Sequence, residues 1–189
     1  MADLSSPEPL SVVCLMQSQE AEFFQKLLSR HGRVACAHAE SAERLVQLTE
    51  EPRPQRLIAF STDIIVPKVV IERLPANCFN FHLGPPERPG YRPATFAAFE
   101  HAASFGVTFH GMTEHVDAGP IYRVSRFALV GTETETEVEI GTYRAALALA
   151  DELAPALADP NTIFIPSGDR WIGPRTTRRQ FESIRTPAG

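Results

Sequence analysis

The stretch from Cys78 to Pro93, CFNFHLGPPERPGYRP, changes character part-way along. Its first five residues alternate in the manner of a strand. Residues two apart on a strand share a face, so Asn80 and His82 point towards one pocket while Phe81 turns to a core. From Gly84 onward, Pro85, Pro86, Pro89 and Pro93 with Gly84 and Gly90 make a stiff loop rather than a regular element. Open parallel sheets place their sites in the crevice beyond the carboxyl ends of their strands. A strand that ends on polar side chains and runs into such a loop fits that position.

The neighbouring sequence supplies the rest of the sheet. Upstream, Leu10–Met16, Val34–His38 and Leu57–Phe60 are short apolar runs, as expected of strands covered on both faces. Helices are predicted between them at Gln19–His31, where Phe23, Phe24, Leu27 and Leu28 share a face and Gly32 stops the run, and at Glu40–Glu50. A short helix around Val69–Leu74 precedes the Cys78–His82 strand. Downstream come a helix at Thr95–Ala103, a strand at Val107–Met112, a loop at Thr113–Pro120 and a strand at Ile121–Leu129. A long helix at Glu133–Ala158 follows, since Ile140, Tyr143, Leu147, Leu149 and Leu153 recur near the helical period. In the tail, Phe164-Ile165 and Trp171-Ile172 flank Ser167-Gly168 in the pattern of a hairpin. Helical crossovers between short apolar strands predict an α/β fold with a mostly parallel sheet flanked by helices.

A length of 189 residues suits one domain, with Leu10–Leu129 as sheet and core and Gly131–Gly189 as helix and tail. The net charge of −5 gives no reason to expect nucleic acid or an anionic membrane as partner. Cys14, Cys36 and Cys78 are widely spaced in apolar runs and read as buried free thiols. The polar, acidic opening lacks the basic start and apolar stretch of a secretory signal, and no window approaches about 18 consecutive apolar residues. The expected setting is a reducing cytoplasm. The residues neither require nor exclude a homo-oligomer. The basic tail cluster Arg175, Arg178 and Arg179 reads as a solvated surface.

A second polar strand end, Thr108-Phe109-His110, leads through Glu114-His115-Val116 to Asp117-Ala118-Gly119. With it in place, Leu57–Phe127 resembles the catalytic core of the formyltransferases that use 10-formyltetrahydrofolate. In that family an Asn-x-His at a strand end precedes a Pro/Gly-rich loop. A G-V-T-x-H strand follows, and then an Asp-x-Gly turn. Here the matching residues are Asn80 and His82, then Gly106-Val107-Thr108-Phe109-His110, then Asp117-Ala118-Gly119. The resemblance implies a Rossmann-like formyltransferase fold and 10-formyltetrahydrofolate as formyl donor. It also implies a catalytic set of Asn80, His82 and Asp117.

The chemistry needs such groups. Formyl transfer to an amine develops an oxyanion, and one preorganised amide donor such as Asn80 is typically worth roughly 3–4 kcal/mol. An imidazole, with an ordinary pKa of about 6.5, can move the amine's proton near neutrality. A carboxylate beside it fixes its orientation or relays protons through water. By resemblance the pterin lies between Thr62, Asp63, Ile64, Ile65 and Val66 on one side and Glu114, His115 and Val116 on the other. Arg88, Tyr91 and Arg92 are the candidates to grip the acceptor, Arg being suited to bidentate contacts. His110 and Thr108 either support the site from the neighbouring strand or pack within it. His110, His115, Glu114 and Asp117 carry no helical H-E-x-x-H spacing, and the resemblance implies a family that works without a metal, so none is expected.

The chain also departs from the family. Leu83-Gly84-Pro85-Pro86-Glu87 stands where P-S-L-L-P or similar is usual, which implies a reshaped acceptor loop. Met16-Gln17-Ser18-Gln19 lacks the glycine-rich phosphate cradle of the purine-pathway enzymes, arguing against a phosphoribosyl substrate. The acidic charge, with no second β-rich domain in this sequence, argues against initiator tRNA. The expected acceptor is the primary amine of a small molecule: an amino sugar, an amino acid or a peptide precursor. The alternatives are a catalytically degenerate folate-binding relative and a formyl hydrolase on the same scaffold.

Overall fold

The computed structural model describes residues 8–50 and 52–185. Six strands form one sheet in the order β2-β1-β3-β4-β5-β6: β1 Leu10–Leu15, β2 Val34–Ala39, β3 Arg56–Phe60, β4 Cys78–His82, β5 Ser104–Gly111 and β6 Ile121–Ala128. The first four run parallel, and β5 and β6 are antiparallel additions. The sheet is therefore mixed and mostly parallel. The helices are α1 Ser18–Leu28, α2 Ala42–Leu48, α3 Lys68–Arg73, α4 Pro93–Phe99, α5 Glu135–Ala158 and α6 Arg178–Arg185. No described helix is long and apolar enough to cross a membrane.

Strand parity decides which side chains reach which layer. Ile58, Phe60, Phe79, Phe81, Val107 and Phe109 lie in the core under α1 and α5, with Phe24, Leu28, Leu149 and Leu157. The opposite face carries Leu57, Ala59 and Cys78 under α2 and α3, with Leu45 and Val70. Further along β4 and β5 that second face becomes polar, because Asn80 and His82 share the parity of Cys78. The register then places Asn80 opposite His110 and His82 opposite Thr108. A four-residue polar patch thus arises from two strands that bury phenylalanines on their other side.

Helix starts follow side-chain caps. Ser41 accepts from the Arg44 backbone N–H, so α2 begins at Ala42 rather than Glu40. Thr134 and Glu137 form a capping box, so α5 begins at Glu135. Pro93 occupies the first turn of α4, where its missing N–H costs nothing.

The tail differs from its predicted hairpin. Phe164 enters the core beside Phe79, Phe109 and Tyr122, whereas Ile163 and Ile165 stay exposed. The two arms do not pair with each other, because their backbone groups are used elsewhere. Ser167 N–H donates to the Ile121 carbonyl, Ile172 N–H to Pro86 and Thr176 N–H to Pro89. The strap ends in α6, which the sequence reading did not anticipate.

Arg56 fixes where α5 ends. It is 2 % exposed, and its guanidinium donates to the carbonyls of Ala156, Leu157, Asp159 and Thr162 at 2.5–3.2 Å. Those are carbonyls at and just beyond the helix C-terminus, which lack intrahelical partners. Charged-group hydrogen bonds contribute about 1.5–3 kcal/mol each, with strong overlap among neighbours. Arg56→Met is expected to lower the unfolding free energy by about 3 kcal/mol, read as a reduced urea midpoint; a midpoint equal to wild type would contradict this role.

Candidate active site

Asn80 and His82 stand on β4, His110 on β5, and Asp117 on the 112–120 loop that folds back over this polar face. His82 Nδ1 lies 3.3 Å from Asp117 Oδ2, and His110 Nε2 lies 3.4 Å from Asp117 Oδ1. The Asn80 amide nitrogen is 3.1 Å from His110 Nε2, and His110 Nδ1 is 2.9 Å from the Gly111 carbonyl. Thr108 Oγ1 donates to the Gly84 carbonyl at 2.8 Å. Asp117 adopts a left-handed backbone, φ 47°, which aims its carboxylate inward from the turn. His82, His110 and Asp117 are all buried.

The proline-rich loop closes over this triangle. The Gly90 N–H donates to Asp117 Oδ2 at 2.7 Å, and the Arg88 carbonyl lies 2.9 Å from His82 Nε2. Gly90 has φ 101°, and a Cβ there would sit 2.3 Å from the Thr176 carbonyl oxygen, so only glycine permits this approach. Gly84 is equally confined, since a Cβ would lie 2.5 Å from His82 Nε2.

His82 consequently meets an acceptor oxygen at each ring nitrogen. A neutral imidazole carries one N–H, so one of these contacts is unsatisfied until the ring is protonated. Burial works against protonation and lowers the His82 pKa, outweighing the opposite pull of Asp117 and the Arg88 carbonyl. Asp117 is pushed up by burial, yet His82, His110 and the Gly90 N–H together hold it below the ordinary carboxylate range.

No protein-family model matches the chain. Its structure is similar to a sugar N-formyltransferase from Shewanella, at 16% identity and TM-score 0.76, over 93% of this chain and 79% of that one. It is also similar to the formyltransferase PseJ from Anoxybacillus kamchatkensis, at 17% identity and TM-score 0.71, covering 92% and 88%. That protein was crystallised with UDP-4,6-dideoxy-4-formamido-L-AltNAc and tetrahydrofolate. An N-formyltransferase from Helicobacter canadensis, in complex with folinic acid and dTDP-3-aminofucose, aligns at 15% identity and TM-score 0.70 over 91% and 72%. The fold is that of the formyltransferases.

On this formyltransferase fold the structure groups some sequence candidates and separates others. Asn80, His82, Thr108, His110 and Asp117 converge. Lys68, at the start of α3 two residues beyond Thr62–Val66, forms a 3.0 Å ion pair with Glu114. Ile64 and Val66 pack inward near Met112, while Ile65 and Val116 stay exposed. The acceptor candidates turn elsewhere. Arg88 pairs with Glu100 at 2.7 Å and Arg92 with Glu139 at 3.3 Å, and Tyr91 packs edge-on against Phe181. The contribution of Arg88 at His82 is its carbonyl. Exposed ion pairs are weak, so these arginines are held lightly. Among the described residues, no group of three or more His, Cys, Asp or Glu side chains is arranged to hold a metal ion.

Trp171 was missed by the sequence reading. Its ring centroid is 5.6 Å from that of His82 and 4.9 Å from that of His110, and its Nε1 donates to the Gly119 carbonyl at 2.8 Å. The sequence placed it only in a hairpin arm, and it is the chain's single tryptophan. Beside it opens a cavity of about 470 Å³, lined by Asp117, Pro89, Gly173 and Arg175 among others.

A histidine with a lowered folded pKa binds fewer protons folded than unfolded, so stability rises with pH between the two values. His82 therefore stabilises fully above the ordinary imidazole pKa, and that contribution is lost as pH falls through the lowered one. Asp117 acts in the same direction at lower pH, through the carboxylate range. Urea denaturation across this pH range should show a loss on acidification that His82→Gln reduces in the imidazole window; an unchanged slope would contradict the burial argument.

Proposed function

We propose that this chain is an N-formyltransferase that moves a formyl group from 10-formyltetrahydrofolate to the primary amine of a small molecule. The observation that carries the reading is the buried His82–Asp117 pair, with Asn80 beside it, at the carboxyl edge of β4 on the formyltransferase fold. The folate and nucleotide-sugar complexes of the similar proteins favour a reduced folate as donor and an amino sugar as acceptor. Thr62–Val66 and Glu114–Val116 carry the exposed apolar side chains Ile65 and Val116, which suit the face of a flat pterin. The donor supplies an activated formyl carbon; the rest of the chemistry falls to this chain's own residues.

Asn80 donates from its amide to the oxygen that gains charge as the amine nitrogen attacks the formyl carbon. His82 takes the amine's proton at Nε2. It can do so only with the proton at Nδ1, directed to Asp117, and with Nε2 released from the Arg88 carbonyl. Asp117 selects that tautomer and stabilises the imidazolium that forms. The same proton then leaves for the departing folate nitrogen as the old C–N bond breaks. Loop 84–92 must therefore shift at Arg88 before each turnover, which gives the unusual Leu83–Glu87 stretch a mechanical meaning.

A second reading, a folate-binding relative without turnover, is favoured by that same Arg88–His82 contact. The two separate in one assay. With a formylated donor and a panel of amino sugars, the wild type is expected to form N-formyl product. His82→Ala is expected to lower the rate about 10²–10⁴-fold and Asn80→Ala about 10²–10³-fold, with the fold retained by circular dichroism. Reduced-folate binding without product supports the second reading, and formate release without acceptor supports hydrolysis. Wild-type turnover in both variants would remove His82 and Asn80 from the chemistry.

A further inference from the structure

The mechanism gives no part to Trp171, an aromatic side chain packed against both histidines. Trp171 arrives on a strap, residues 159–177, that belongs to no sheet and no helix. The strap is nevertheless pinned along its length. Ile172 N–H donates to Pro86, Thr176 N–H to Pro89, and Tyr91 N–H to Thr176, so the strap and loop 84–92 hold one another. The Thr176 hydroxyl adds contacts to the Pro89 and Tyr91 carbonyls.

The indole touches three parts of the site at once. Its ring stands nearly perpendicular to the His110 ring, at 88°, and at 72° to that of His82. Its N–H holds Gly119, the last residue of the Asp-x-Gly turn that carries Asp117. Gly119 itself lies close against the Gly111 carbonyl, which a Cβ there would overlap. Trp171 also forms part of the cavity wall that includes Asp117, with Asp169, Arg170 and Arg175 along the same rim. It therefore separates that cavity from the imidazoles.

We propose that Trp171 is the positioning residue of this site: anchored at Gly119, its indole seals the cavity side of His82 and His110 and holds the Asp117 turn against them. Two effects follow from two parts of one side chain. The ring excludes water from the imidazoles, and the N–H fixes the turn. The titratable side chains facing His82 are Asp117 and His110; Glu87 and Arg88 direct their charges to Arg126 and Glu100. Removing the ring thus alters His82 mainly through its access to water, which raises the pKa of a buried imidazole towards its ordinary value.

The test uses the intact chain and two variants. By NMR, the His82 ring is expected to titrate below the ordinary imidazole range in wild type and in Trp171→Phe, which keeps a ring. In Trp171→Ala it should titrate higher. As Trp171 is the only tryptophan, wild-type fluorescence should follow the His82 midpoint, a readout that needs no variant to fold. Kinetically, Trp171→Phe should lower kcat about tenfold to a hundredfold with donor KM within about twofold, and the acid limb of its pH profile should stay in place. In Trp171→Ala that limb should move up. An emission indifferent to pH, or a His82 midpoint unmoved in folded Trp171→Ala, would overturn the proposal. The kinetic arm rests on formyl transfer, but the two titrations do not, so absent turnover with the expected titrations would count against the activity and for the role of Trp171.

Discussion

His82 is held between two oxygens. Asp117 lies at one ring nitrogen and the Arg88 carbonyl at the other, in a place where water has little access. One proton cannot satisfy both contacts, and burial resists a second. The closed loop therefore holds a ring whose preferred protonation changes when the loop moves. With Arg88 in place, its carbonyl competes with Asp117 for the single proton of a ring that burial keeps neutral. With Arg88 displaced, the proton belongs at Nδ1, facing Asp117, and Nε2 becomes a base. In the proposed reaction, the contact that holds the closed loop is the one that Nε2 must give up.

The rest of the molecule serves that arrangement through strand parity. Phe79, Phe81 and Phe109 lie in a core that includes Phe24 and Phe164, which fixes the register of β4 and β5. Once that register is fixed, Asn80, His82, Thr108 and His110 have no choice but to share the opposite face. Arg56 ties the end of α5 to β3 and sets where the strap begins. The strap returns to the polar face with Trp171. A buried arginine about one hundred residues distant in sequence from its carbonyl partners thus contributes to the placement of an indole over the site.

Much of this was legible in the sequence. The short apolar strands, the parity of Asn80 and His82 and the downstream Asp-x-Gly turn are local patterns, and local patterns survive folding. Up to α5 the strands and helices appear near where periodicity puts them, with caps trimming their ends. What was not legible depends on long-range partners. Nothing in residues 164–172 announces that their backbone will bond to β6 and to the proline-rich loop instead of to itself. Arg88 and Arg92 looked like ligand-binding cations because their partners, Glu100 and Glu139, are distant in sequence. Trp171 carried no motif, and its role follows only from the strap's path.

The central proposal is that the polar face of β4 and β5, with the segments Thr62–Val66 and Glu114–Val116, receives a reduced folate. The most direct measurement is an NMR titration of the isotope-labelled chain with 5-formyltetrahydrofolate, a stable analogue of the donor. The account predicts saturable shifts in the amides of both segments and in the His82 ring, with loop 84–92 responding as the Arg88 carbonyl leaves Nε2. Shifts confined to other surfaces, or none at millimolar analogue, would contradict it.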